Sequence, residues 1–105
     1  MSAFRRKMPI SKSQAIALAS VGVMTREGYT GMFCTTDAPN AIPAGTQIKK
    51  VRTESDDEHQ IGSTGAVLGS ISVNNLGIMY FIEWDDKPKH AISTVAWKIA
   101  RLHDA

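Results

Sequence analysis

The feature that most constrains this chain is its second half. From Gly45 onward, short runs rich in β-branched and aromatic residues are cut at regular intervals by Gly, Asn and Asp. Such spacing leaves no room for long helices and is the pattern of a compact β-meander or small barrel. The first run is Thr46 to Arg52, and a polar loop from Thr53 to Gln60 follows. A second run covers residues 65–73, where Val67, Ile71 and Val73 share a side and Gly69 sits where a bend is cheap. Asn74-Asn-Leu-Gly77 reads as a hairpin turn, because Asn and Gly tolerate positive φ. The third run, Ile78 to Trp84, sets Ile78, Tyr80, Ile82 and Trp84 against Met79, Phe81 and Glu83. Asp85 to Pro88 turns the chain again. In the last run, residues 91–102, Val95, Trp97 and Ile99 fit a strand, while Val95, Ile99 and Leu102 fit a helical turn equally well.

The first half is less regular. Residues 1–12 contain Arg5, Arg6, Lys7 and Lys12 with no acidic residue, and read as a flexible basic arm. A short helix is expected over residues 13–21, capped by Ser11 or Ser13 and closed by Gly22, with Ile16, Val21 and either Leu18 or Met24 as its apolar side. Two or three turns are too few for an isolated helix, so this one must pack on something. The basic stretch ahead of Ala15–Met24 has the outline of a signal peptide, but Pro9, Ser20 and Gly22 interrupt it and export is not expected. Residues 25–45 are turn-like, with one short strand expected between Tyr29 and Thr36. A chain of 105 residues with 43% hydrophobic content supports one core, so residues 13–105 are expected to form a single domain.

Ile42-Pro-Ala-Gly-Thr-Gln-Ile-Lys-Lys-Val51, Ile61-Gly-Ser-Thr-Gly-Ala-Val67 and Tyr80-Phe-Ile-Glu-Trp-Asp-Asp86, followed by a short apolar end strand, resemble the small SH3-like barrels of the KOW type. In that family two glycines three residues apart precede a valine, as Gly62, Gly65 and Val67 do here. The next strand commonly reads aromatic-x-aliphatic-x-aromatic-Asp, matched by Tyr80, Ile82, Trp84 and Asp85. The resemblance covers about residues 42–103, does not extend to the N-terminal helix, and implies an SH3-like small β-barrel; with the helix read from the residues, the expected fold is mainly β, such a barrel with a short N-terminal helix. It implies a fold more than a task, since such barrels host peptide, nucleic-acid and subunit-docking roles.

No catalytic constellation emerges. Cys34 is the single cysteine, which excludes an internal disulfide and suits a reducing, cytoplasmic setting; without a nearby base it reads as a small apolar residue. Gly62-Ser-Thr-Gly65 is followed by strand-like sequence with no Lys-Ser or Lys-Thr, so it reads as a barrel turn and not a phosphate cradle. Glu54, Asp56, Asp57, Glu58 and His59 lack the alternation and central Gly of a calcium loop. His59, His90 and His103 lie in separate segments, and Asp85 and Asp86 begin a turn. No enzyme activity, cofactor or metal is expected, and no apolar run reaches the length of a membrane span.

The expected function is that of a non-catalytic binding or adaptor module docking a protein partner through Tyr80, Phe81, Trp97, Asp56, Asp57 and Glu58. The alternative is a nucleic-acid-binding module in which Arg5, Arg6, Lys7, Lys49, Lys50 and Arg52 meet phosphates while aromatics stack on bases. Charge distribution ranks the two. The net charge is +2, yet residues 1–12 hold four of the twelve basic groups and none of the ten acidic ones, leaving residues 13–105 at −2. A net-acidic domain does not attract a polyanion, so the protein partner stands first.

Overall fold

The computed structural model describes residues 11–103. Helix α1 (Lys12–Ser20) opens on a reciprocal cap: Ser11 Oγ accepts the Gln14 N–H at 3.1 Å, and Gln14 Oε1 accepts the Ser11 N–H at 2.8 Å. It closes on Gly22, whose φ of +84° lets the Gly22 N–H reach Ala19 O at 3.0 Å and the Val23 N–H reach Leu18 O at 2.9 Å. Both capping expectations hold, but the expected apolar side does not. Ile16, Val21 and Met24 are exposed, and Leu18 is the residue of that set that packs on the core. Lys12, expected in the arm, is the first residue of the helix and Ser11 its cap; Arg5, Arg6 and Lys7 lie outside the described residues.

The meander is present as β1 (Gln47–Lys50), β2 (Thr64–Val73), β3 (Gly77–Trp84), β4 (Ala91–Val95) and β5 (Ile99–Arg101). The ambiguous last run is resolved by a single turn of 3-10 helix, Ala96–Lys98, between β4 and β5. All pairings are antiparallel, and the order across the sheet is β4-β3-β2-β1-β5. The sheet is not closed: β4 and β5 are its two edges and do not pair with each other, so the expected barrel stops one ladder short. Residues 29–36 form no strand; they contribute only isolated bridges, Met24 with Phe33 and Thr30 with His90.

The sheet bends at a register shift between Val67 and Gly69. Gly69 is required there, because a Cβ at that position would lie 2.1 Å from Cys34 O. Alternation along β3 then serves two cores. Tyr80, Ile82 and Trp84 join Ile48, Val67 and Ile99 on one side. Phe81 points the other way, to Val23, Phe33, Cys34 and Ala91, where α1 and the irregular segment cover the sheet. Cys34 is fully buried, as expected of a small apolar residue, and its Sγ also donates toward Ser70 O at 3.4 Å.

Candidate functional site

The 13 residues 51–63 between β1 and β2 form the longest loop of the sheet, and the sequence of β1 explains how that loop is held. Ile48 and Lys50 are two residues apart on a strand, so both face the core; Ile48 is fully buried and Lys50 is 4% exposed. A buried ammonium demands a counter-charge. Asp57 provides it, with Oδ2 3.2 Å from Lys50 Nζ and 2.9 Å from Lys98 Nζ. Lys98 also reaches Glu54 at 3.0 Å, and the Glu54 N–H donates to Asp57 Oδ2 at 3.0 Å. The Lys98 hydrogen bond, then the Glu54 N–H, holds the Asp57 carboxyl far below the usual carboxylate range. The same bond to Asp57 raises Lys98.

A second clamp sits beside the first. The His59 ring stacks on Trp84 with centroids 4.6 Å apart and planes 20° from parallel, and its Nε2 lies 2.8 Å from Asp86 Oδ1. That hydrogen bond lowers the Asp86 carboxyl and ties the loop to the β3–β4 turn. Lys50 Nζ lies 5.7 Å from the Trp84 ring centre, within cation–π range. Glu58 and Lys87 form an exposed ion pair across the same junction, which lowers Glu58 and raises Lys87. Between the loop and β4 these groups leave a cleft of about 250 Å³.

The site residues expected from sequence separate accordingly. Tyr80 is buried, its Oη accepting the Ile42 N–H at 2.8 Å, and Phe81 is buried on the opposite face; neither ring can form a docking surface, because β3 is interior and packed on both sides. Trp97, on the 3-10 helix, is 49% exposed. Asp56 is exposed, Glu58 is exposed but paired with Lys87, and Asp57 is bound inside the loop. Of the basic set, Arg52 is exposed and Lys49 half-buried, whereas Lys50 is buried and neutralised, which removes it from any phosphate contact.

Sequence reasoning missed the parts of Lys98, His59 and Asp86. The inward register of Lys50 with Ile48 was the available signal, since it announces a buried cation that some carboxylate must meet. Two exposed apolar side chains were missed as well, Val51 and Ile61. The Val51 N–H donates to Lys98 O at 2.8 Å and the Gly62 N–H to Lys50 O at 2.9 Å, so the backbone brings Val51, Ile61 and Trp97 to one end of the sheet.

The Gly62–Gly65 turn is structural. Gly62 has a φ of +98°, and a Cβ on Gly65 would lie 2.7 Å from Glu83 O. Asp85 and Asp86 face the shallow depression beside it, and Thr64 Oγ1 donates to Asp85 Oδ2 at 2.5 Å, an arrangement that repels a phosphate. Among the described residues no three His, Cys, Asp or Glu side chains gather as metal ligands, and no helix is long and apolar enough to cross a membrane. Comparison with protein-family models, curated proteins and solved structures finds no match to this chain.

Proposed function

We propose that this chain is a non-catalytic, SH3-like binding module that docks a protein partner at the end of the sheet where Trp97 meets the acidic loop. The observation that carries the reading is the exposure of Trp97 next to a residue, Lys98, that is locked into the loop by Asp57 and Glu54. A half-exposed Trp on a rigid support loses little entropy on binding and offers a large apolar area, which is why Trp is enriched at interface hot spots. Val51 and Ile61 extend that apolar area, and Asp56 supplies a polar rim. The meander order, the bend at Gly69 and the glycine pair at 62 and 65 support the SH3-like build, as a rolled sheet one pairing short of closure.

The nucleic-acid reading has less to stand on, with Lys50 consumed by Asp57. The experiment compares wild type with a Trp97→Ala, Ile61→Ser double variant, immobilised and exposed to cell extract. Saturable protein retention by wild type, lost in the variant, is the expected result. Fluorescence anisotropy with single- and double-stranded oligonucleotides, at about 50 and 200 mM salt, is run in parallel. Equal retention by both proteins overturns the reading, as does tight oligonucleotide binding that weakens steeply with salt.

A further inference from the structure

Strand β4 is an edge, and its outer side is only partly covered. The Ala91 N–H donates to Thr30 O and the Thr30 N–H to Lys89 O, each at 2.8 Å, so Thr30 pairs with the beginning of that side. Antiparallel pairing alternates the direction of successive backbone groups. Because the Ala91 N–H points away from β3, those of Ser93 and Val95 do too, while Ile92 and Thr94 face Ile82 and Tyr80. The N–H and C=O of Ser93 and the N–H of Val95 have no backbone partner among the described residues.

The same stretch forms one wall of the 250 Å³ cleft. Residues 92–95 line it in succession, and the charged groups that share the lining are Lys50, Asp56, Asp57, Glu58 and Lys98. Successive strand residues point to opposite faces, so a wall made of four in a row means that the cleft runs along the backbone edge. The charged lining groups are mostly paired. Asp57 is bound to Lys50 and Lys98 and Glu58 to Lys87, which leaves Asp56 as the lining carboxylate with no ion pair among the described residues.

We propose that this cleft receives an extended, basic peptide segment of the partner, which adds to the outer edge of β4 as a further strand and sets a Lys or Arg side chain against Asp56. Main-chain hydrogen bonds to Ser93 and Val95 supply affinity, and the Asp56 carboxylate supplies the preference for a cationic side chain. A second copy of this chain is a poorer occupant, since it brings its own acidic loop to the same seam. The inference rests on the protein-docking reading and names the partner's chemistry.

The test titrates a short peptide alternating lysine and valine into the ¹⁵N-labelled full chain, beside a twin N-methylated at every residue and an acidic counterpart alternating glutamate and valine. The expected result is saturable binding of the lysine peptide with slowed hydrogen exchange at the Ser93 and Val95 amides. Both control peptides should bind at least tenfold more weakly, and Asp56→Asn should lower affinity for the lysine peptide severalfold. Ser93→Pro, which removes an N–H that β3 does not use, should abolish binding, with the spectrum reporting that the sheet is intact. Binding of the N-methylated twin as tight as that of its parent overturns the inference, as does dimerisation through β4 in sedimentation. Binding that shifts Trp97 and leaves Ser93 and Val95 unprotected also overturns it, while the docking reading stands. No binding at millimolar peptide overturns the edge inference alone, since the docking reading is decided separately by extract retention in the Trp97 variant.

Discussion

Removing Asp57 isolates what holds the acidic loop. Asp57→Ala leaves Lys98 with Glu54 at 3.0 Å, but leaves Lys50, 4% exposed, with no counter-charge among the described residues and the Trp84 ring at 5.7 Å. Breaking a buried ion pair from one side costs about 3–5 kcal/mol, and the low end applies because Lys98 keeps Glu54. The expected cost is therefore about 3 kcal/mol, and in a domain of this size that lowers Tm by roughly 12–24 °C. Urea unfolding followed by Trp fluorescence gives the free energy, and calorimetry gives Tm. Lys50→Met should cost far less, because Asp57 keeps Lys98 at 2.9 Å, and Lys50→Met with Asp57→Leu should recover most of the loss. The pH dependence has a definite sign. Asp57 is depressed in the folded state, so its contribution is fully present above the ordinary carboxylate value of about 4 and is lost as pH falls toward the folded value. The Asp57→Ala protein should lose correspondingly less stability on acidification than wild type. A cost below about 1 kcal/mol for Asp57→Ala, or an equal cost for Lys50→Met, would refute the claim that a buried charge anchors this loop.

Three further outcomes follow from the packing. Gly69→Ala places a Cβ 2.1 Å from Cys34 O, backbone that cannot swing aside, and should prevent stable folding at room temperature, as read by the loss of dispersed amide resonances. The two tryptophans should separate cleanly in denaturant titrations: Trp84→Ala costs about 3–5 kcal/mol through the cavity it opens, whereas Trp97→Ala changes stability by less than about 1 kcal/mol yet removes partner retention. Tyr80→Phe strands the Ile42 N–H that now donates to Tyr80 Oη at 2.8 Å, and should cost about 1–2 kcal/mol in urea unfolding while leaving partner retention intact.

Most of the sheet was legible because its signals are local. Alternation over Ile78–Trp84 placed β3 and set Tyr80, Ile82 and Trp84 on one side of it, and Asn75 and Gly77, with φ of 66° and 90°, marked the turn that sets the β2–β3 register. Residues 91–102 defeated periodicity because a strand, a 3-10 turn and another strand share them, and no single period describes all three. The segment from Tyr29 to Thr36 was read as a strand on composition, but its backbone is used to close over Phe81 and Ala91, with Gly31 packed against Ala91 O. Tyr80 and Phe81, expected on the docking surface, are buried for a related reason, whereas Trp97 is exposed. Alternation separates Tyr80 from Phe81 but is silent on whether both faces of a strand are covered, and here both are.

The sequence by itself determined the runs of β1, β2 and β3, the helix caps, the glycines that the bend and turns require, and the concentration of basic charge in residues 1–12. These follow from backbone sterics, side-chain alternation and counting, which act over a few residues. Only the tertiary structure decided that Lys50 is a buried anchor, that Asp57 is bound inside the loop, that Trp97 is exposed while Tyr80 and Phe81 are not, and that β4 is an edge of the sheet. Burial and charge pairing depend on which segments meet across the fold, and Lys50, Asp57 and Lys98 meet only once β1, its loop and the 3-10 helix are packed together.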